Sequence, residues 1–185
     1  MRTLVDHLSQ YADYHRDRRN IATHGVGVPM IAFAVVALLS RPAFHVGGLA
    51  LSPAVPLILL VLAFYFRLDV RYGIAMTAFF AAAGVVGALL APQPTTIWLA
   101  ASVGGFVVGW IIQFIGHGME GRKPAFVDDL VGLIVGPLFV VAELGFALGM
   151  RSEVQAEVER RSGKTHGGKT RGGKREGKQA ESALR

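Results

Sequence analysis

Residues 97–115, IWLAASVGGFVVGWIIQFI, decide the fold, because this run contains no charged side chain. A helix rises about 1.5 Å per residue, so about 20 apolar residues in a row cross the hydrocarbon core of a membrane. Four further blocks are almost free of charge, with Glu143 as the exception in the last of them: residues 26–39, 53–66, 72–91 and 130–149. The sequence therefore predicts an all-α fold, a polytopic transmembrane helical bundle.

The composition restricts the chemistry, and the N-terminal region argues against a signal peptide. The chain has no cysteine, which excludes disulfides, thiolate nucleophiles and cysteine-held zinc or iron–sulfur sites. Any metal must therefore be bound by nitrogen and oxygen. Residues 2–20 are polar, and such a segment is not typical of a secretory signal peptide.

The N-terminal segment has the periodicity of an amphipathic helix that lies at the membrane surface or packs on the bundle. Its apolar face is formed by four residues spaced by four, three and four positions: Leu4, Leu8, Tyr11 and His15. Asn20 is a plausible N-cap of the next helix. On one unbroken helix, the nine residues from His15 to His24 would turn by about 900° and place the two rings on opposite faces. A bend between them is required if they act together.

Positive charge is concentrated near the C-terminus. Of the formal net charge of +6, residues 151–185 hold ten Lys or Arg and five Glu, a balance of +5. Because most of this segment has little apolar surface to bury, we predict a membrane-embedded domain over residues 1–150 and a disordered Gly/Lys-rich tail over residues 151–185. The tail is interpreted as a solubilising extension or as a site for anionic lipid headgroups, and no specific nucleic acid is expected.

Basic residues also predict the orientation in the membrane. Alternating crossings place the basic N-terminal residues, the turn at 67–71 and the pair Arg122–Lys123 on one side, which is the cytoplasmic side by the positive-inside rule. A fifth full crossing by residues 130–149 would put the tail outside, whereas a segment that dips into the bundle and returns would keep it inside. The sequence leaves both open. It predicts an integral membrane protein, of the inner membrane in a bacterium or of the endoplasmic reticulum in a eukaryote.

The stretch that follows the fourth apolar run, QFIGHGMEGRKPA at 113–125, carries a polar cluster. If the helix continues past its two glycines, Gln113, His117 and Glu120 stand on one face. A neutral imidazole and a carboxylate one turn apart can bind the same divalent ion, and Gln113 could orient them. The alternative is a surface cluster in which Glu120 pairs with one of the two cations that follow it.

Three histidines, His15, His24 and His117, fall at the predicted cytoplasmic boundary. Histidine with carboxylate suits Fe(II), Zn or Mn. None of the six histidines lies in a His-x-x-His-His box, which favours a site for a single ion. Glu143 is costly inside an apolar segment unless it faces a partner or a cavity. It is interpreted as a metal ligand, a partner of a histidine or an arginine, or a protonated packing residue.

Two stretches together resemble the Mpo1-like family: YHRDRRNIATHGVGVP at 14–29 and QFIGHGMEGRKPAFVDDLVGLIVGPLFVVAE at 113–143. The similarity lies in the spacing of the two histidines, the asparagine and the proline of the first stretch, and in the Gly-His to Pro-Ala motif of the second. It extends over residues 1–150. The resemblance implies an Fe(II)-dependent dioxygenase of fatty-acid alpha-oxidation, which converts a long-chain 2-hydroxy fatty acid and O2 to a fatty acid one carbon shorter.

The resemblance and the chemistry it implies assign a role to ten residues. The metal ligands are His15, His24 and His117, the catalytic residues are Asn20, Glu120 and Glu143, and the substrate-binding residues are Arg19, Gln113, Arg122 and Lys123. The cations among them could hold the carboxylate of the substrate, while the acyl chain would lie between apolar helices. The active site is then expected on the cytoplasmic side, with membrane lipid around it.

Two other classes of protein stay open at this point. One is a non-catalytic membrane scaffold or lipid-binding protein, in which the histidines are merely interfacial. The other is a transporter with Glu143 as its proton site. The sequence does not predict the oligomeric state.

Overall fold

The computed structural model describes residues 2–41, 44–46, 49–121 and 131–163. The elements in these ranges are, in chain order, α1 Leu4–Asp13, α2 Arg18–Leu39, β1 Phe44–Val46, β2 Leu49–Leu51, α3 Ala54–Leu68, α4 Val70–Leu90, α5 Thr95–Glu120, α6 Val131–Ala147 and α7 Ser152–Ser162. The predicted helical bundle is confirmed. The antiparallel hairpin of β1 and β2 was not predicted, because strands of three residues are too short for an alternating pattern to be recognised.

Three helices, α2, α4 and α5, are long and apolar enough to cross a membrane, with mean hydropathies of 2.0, 2.0 and 1.8 over an 18-residue window. Of those windows, 33%, 28% and 22% of the residues are buried inside the protein. Their outward faces are therefore apolar as well, which suits contact with lipid tails. The fourth member, α3, has 15 residues and forms a hairpin with α4. The chain is a polytopic membrane protein.

The pair formed by α2 and α5 is the centre of the bundle. A Cβ atom on Gly27 would lie 2.9 Å from the carbonyl oxygen of Gly109, so the two backbones touch without room for a side chain. Nearer the beginning of α2, Gly116 packs against Thr23 and Asn20. Small residues allow such close approach between membrane helices. The two helices run antiparallel, and the last turn of α5 therefore lies beside the first turns of α2.

We call the end of the bundle where α2 begins the histidine end. Gly87 near the end of α4 packs against Ser40, the residue that follows α2. Since α2 and α4 thus end together, α4 begins at the histidine end. Asp69, the N-cap of α4, marks the turn between α3 and α4 there.

Helix α6 does not carry the chain to the opposite end. Glu120, the last residue of α5, accepts a hydrogen bond from the N–H of Arg16 at the histidine end. After α6, Arg151 donates two hydrogen bonds of 3.0 Å to Asp69 at the same end. The chain thus makes no net crossing between residues 121 and 151, which agrees with one of the two arrangements that the sequence leaves open, the one that keeps the tail on the side of the histidine end. The axes of α6 and α7 are bent by 116°.

The prediction of a disordered tail is wrong for residues 152–162, which form α7. Val154 and Val158 lie one turn apart and join the core cluster that contains Leu4 and Leu8 of α1. Two apolar residues among charged ones are a weak periodic signal, and they suffice here because α1 supplies the complementary face. Residues 164–185, the rest of the predicted tail, lie outside the described residues.

The N-terminal helix is confirmed, and its buried face contains Leu4, Leu8 and Tyr11. The predicted bend is confirmed as well, since α1 ends before His15 and α2 begins after it. The predicted N-cap is wrong. Asp17 caps α2 by accepting a hydrogen bond of 2.8 Å from the N–H of Arg19, because the helix begins earlier than the apolar run suggests.

Candidate metal centre

Three buried histidines converge at the histidine end. His15 lies in the turn between α1 and α2, His24 lies in the second turn of α2, and His117 lies in the last turn of α5. They are 2%, 2% and 6% exposed. One ring nitrogen from each lies within 4.8 Å of the others. The sequence-based prediction of these three ligands is thus matched by a cluster that could hold a metal ion.

Backbone carbonyls determine how two of the rings are turned. Nδ1 of His15 lies 2.7 Å from the carbonyl oxygen of Tyr11, and Nδ1 of His24 lies 2.9 Å from that of Asn20. A carbonyl can only accept, so both Nδ1 atoms carry the hydrogen and both Nε2 atoms present a lone pair. Outer partners of this kind are typical of metal-binding histidines.

The two Nε2 atoms of His15 and His24 face each other at 2.9 Å. Two lone pairs at this distance repel unless a proton or a cation lies between them. Two nitrogens bound at right angles to one ion, each about 2.1 Å from it, are separated by about 3 Å. The observed spacing therefore fits a pair of neighbouring ligands on one metal ion.

A proton is the less suitable solution at neutral pH. The pKa of His15 is lowered to about 4, mainly by burial; the nearby His117 also lowers it, while the hydrogen bond to the Tyr11 carbonyl opposes both. His15 is then neutral, which is the form that binds a metal. Nδ1 of His117 is buried and has no hydrogen-bond partner within the described ranges. An all-nitrogen set of three imidazoles suits iron, zinc, copper or nickel and leaves coordination positions open.

Glu120 is close to the cluster but has a different set of partners. Its carboxylate accepts hydrogen bonds from the N–H groups of Arg16 and Asp17, at 3.1 and 2.8 Å, and from Nδ2 of Asn20 at 3.1 Å. These bonds tie the end of α5 to the turn that carries His15. Arg122 and Lys123, the cations with which Glu120 could alternatively pair, lie outside the described residues. Their predicted role in binding substrate stays a prediction.

The other predicted residues are placed less centrally. Glu143 is half-buried on α6, in a small cleft that also contains His15 and Glu159 on the side of α7. Arg19 is exposed at the beginning of α2. The predicted catalytic role of Glu143 and the predicted substrate contact of Arg19 stay predictions.

An apolar cavity of about 430 Å³ begins at the cluster. His24, Gln113 and His117 line one end of it. The remaining lining is almost entirely apolar and includes Val28, Ile31, Val35, Leu57, Phe106 and Trp110. Nε2 of Gln113 is buried without a hydrogen-bond partner in the part of the chain that the structure describes. An apolar pocket with a few polar groups at one end is the usual form of a site for a small amphiphile.

Sequence reasoning missed two aromatic residues of this site. Tyr11 stacks on the ring of His15 with centroids 4.2 Å apart, and Trp110 lines the cavity. Both positions belong to apolar faces that look like ordinary core positions in the sequence. The spacing of Trp110 and Gln113 on α5 is the signal that could have placed them on the same wall.

Two comparisons with known proteins match most of the chain. The family model described as "2-hydroxy-palmitic acid dioxygenase Mpo1-like" matches residues 1–148. The chain is similar to the "2-hydroxy-palmitic acid dioxygenase MPO1" of Saccharomyces cerevisiae, with 32% identity over 162 residues that cover 84% of this chain and 87% of the yeast protein. No solved structure matches the chain. The chain belongs to the Mpo1-like family.

Proposed function

We propose that the protein is an Fe(II)-dependent membrane dioxygenase of fatty-acid alpha-oxidation. Its substrates would be a long-chain 2-hydroxy fatty acid and O2, and its product a fatty acid one carbon shorter. The observation that carries the proposal is the cluster of three histidines at the polar end of an apolar cavity. The activity named for the yeast relative supports the same chemistry.

The proposed reaction balances without a further reductant. The bond between C1 and C2 breaks, C2 becomes the new carboxyl carbon, and C1 leaves as carbon dioxide. The 2-hydroxy acid and one O2 thus give the shortened acid, carbon dioxide and one water. All four electrons that reduce O2 come from the substrate.

His15, His24 and His117 would hold the iron, in agreement with their donor chemistry. When bound, Fe(II) would supply Lewis-acid and redox chemistry at the hydroxyl and carboxylate of the substrate. The carbonyls of Tyr11 and Asn20 hold two of the rings in the orientation that this requires.

Other residues would bind and orient the acid. Nε2 of Gln113 has no hydrogen-bond partner among the described residues and would donate a hydrogen bond to the carboxylate, since a buried donor without a partner costs about 1–3 kcal/mol. The apolar walls would hold the alkyl chain and exclude water. Arg19, Arg122 and Lys123 would attract the carboxylate at the membrane surface. Asn20 and Glu120 would act as positioning residues through the turn that carries His15.

The active site is proposed to face the cytoplasm. The basic residues Arg16, Arg18 and Arg19 adjoin the beginning of α2, and Arg67 and Arg71 flank the turn between α3 and α4 at the same end. The positive-inside rule therefore supports this orientation. The membrane would be the inner membrane of a bacterium or the endoplasmic reticulum of a eukaryote.

The proposal is tested by elemental analysis of the purified full chain. We expect about one iron per chain, lost in the His24→Ala and His117→Ala variants and retained in His166→Ala, whose histidine lies in the C-terminal tail. Oxygen consumption with 2-hydroxypalmitate should follow the iron content. Turnover of the acid by a wild-type protein that contains no iron would contradict the proposal. So would iron that is retained in both the His24→Ala and the His117→Ala variants. A scaffold protein would show neither iron nor oxygen uptake.

A further inference from the structure

We propose that the apolar cavity limits the length of the acyl chain, and that the side chains at its far end favour acids of up to about 16 carbons. The inference rests on the proposed function for the identity of the acid. It assigns a new role to three helix positions: Ala32 and Val35 on α2 and Leu57 on α3.

The cavity is directional, because its polar groups lie at one end. His24, Gln113 and His117 are at the histidine end. Nε2 of Gln113, without a hydrogen-bond partner in the described part of the chain, is an acid-binding donor there, in a residue that is only 4% exposed. A carboxylate therefore belongs at this end, and the alkyl chain must point away from it.

The opposite end of the cavity is set by the direction of the helices. Val35 lies eleven residues beyond His24 on α2. Leu57 belongs to the first turn of α3, which is the end of that helix away from the turn at Asp69. Both side chains line the cavity. They lie at the end of the cavity away from the histidines.

The distance between the two ends corresponds to a definite chain length. Eleven residues of helix span about 17 Å, and an extended chain advances about 1.2 Å per bond, so about 14 bonds fit beyond C2. That gives an acid of about 16 carbons. Ala32, eight residues beyond His24, lies about 12 Å along the same wall, or about 10 bonds from C2.

A side-chain change at Ala32 should therefore shorten the preferred acid. Ala32→Phe places a ring across the cavity, and we expect the best 2-hydroxy acid to move from about 16 to about 12 carbons. Each buried methylene contributes about fourfold in binding, so kcat/KM for the 16-carbon acid relative to the 12-carbon acid should fall on the order of 100-fold. The matched control is Ala101→Phe, at an exposed position of α5 outside the cavity.

The opposite change should lengthen the cavity. Leu57→Ala removes side-chain volume at the far end of the cavity, and the preferred chain length should increase by about two carbons. If Ala32→Phe does not fold, the Leu57→Ala variant tests the same cavity by itself. A profile that stays the same in a folded variant at either position overturns the inference. No turnover of any acid by the wild type overturns the proposed function instead.

A second measurement is independent of turnover and of the metal. Trp110 lines the cavity seven residues from His117, about 10 Å along α5 and level with about the tenth carbon. The second tryptophan, Trp98, donates a hydrogen bond to the carbonyl of Ala37. The measurement uses the Trp98→Phe variant, so that the fluorescence comes from Trp110. Palmitic acid brominated at carbons 9 and 10 should quench Trp110 at least twice as strongly as acids brominated at carbon 2 or 16.

The quenching experiment also separates an acid from a resident membrane lipid. In nanodiscs, brominated phosphatidylcholine should quench Trp110 of the protein with Ala32 no more strongly than it quenches Trp110 of the Ala32→Phe variant. Equal quenching at every bromine position, or quenching by the lipid that palmitic acid does not displace, overturns the inference.

Discussion

The histidines are held by two helix pairs that are packed in different ways. In the pair α2 and α5, glycines bring the backbones into contact, with Gly27 against Gly109 and Gly116 against Thr23. In the pair α1 and α7, two valines are buried and the edges are joined by charges, as in the ion pair of 2.6 Å between Arg161 and Asp6. The first pair carries His24 and His117. The second pair covers the turn that carries His15.

This difference suggests a division of tasks within the site. The spacing of His24 and His117 depends on steric fit between two backbones. Because that contact is close-packed, it cannot take up an added side-chain atom without moving the helices. The position of His15 depends on hydrogen bonds at the turn, above all those of Glu120 with Arg16 and Asp17. The metal affinity should therefore be most sensitive to the close packing of α2 and α5, less to the turn, and least to the outer ion pairs.

The largest effect is expected for Gly116→Ala. A Cβ atom there would overlap the side chains of Thr23 and Asn20, so α5 must move and carry His117 with it. We expect the iron content to fall below about one tenth and stability to fall by about 1–3 kcal/mol. The measurements are elemental analysis and thermal unfolding in detergent.

The matched control is Gly118→Ala, two residues further on the same helix. A Cβ atom at Gly118 would have no atom of the described residues within 4 Å, and alanine favours a helix by up to about 1 kcal/mol. This variant should keep its iron and unfold at the same or a higher temperature. Equal iron contents in the two variants would show that steric fit is not what holds His117.

A smaller effect is expected for Glu120→Gln. The amide keeps one acceptor but presents an N–H₂ group to the donors of Arg16 and Asp17, so the turn with His15 loosens. Loss of such an outer partner costs about 10–100-fold in metal affinity. Competition with a chelator measures it, with Glu157→Gln on α7 as control. An unchanged affinity would mean that the turn holds His15 without Glu120.

The smallest effect is expected for the ion pair of Asp69 with Arg151. Burial by itself would raise the pKa of Asp69, but the bonds from Arg151 and the N–H of Tyr72 outweigh it and lower that pKa. A carboxyl with a lowered folded pKa stabilises the protein above its unfolded pKa, near 4, and loses this contribution as the pH falls through the folded value. Both side chains are partly exposed, so the contribution should be about 1 kcal/mol.

Asp69→Asn tests this, because asparagine can still cap α4. The variant should be less stable than the wild type at pH 7 by thermal or denaturant unfolding, and the difference should shrink as the pH falls below the unfolded pKa, near 4. Iron content should not change. A difference that persists at low pH would mean that the charge of Asp69 is not its source.

The helices could be predicted from the sequence because their signals are local. The charge-free runs give α2 to α6, and the spacing of Leu4, Leu8 and Tyr11 gives α1. The three histidines of the cluster could also be identified, from the motif spacing that resembles the family. Helix α7 could not, because Val154 and Val158 are apolar partners only in the presence of α1.

The sequence by itself determined the membrane bundle, the bend between His15 and His24 and the nitrogen-rich donor set, since these follow from composition and spacing along one segment. Only the tertiary structure decided that the chain returns to the histidine end after α6 and that a cavity begins at the cluster. It also decided the partners of Glu120, whose bond to Arg16 joins residues 104 positions apart. Contacts over such separations depend on how helices pack, and no local pattern contains that information.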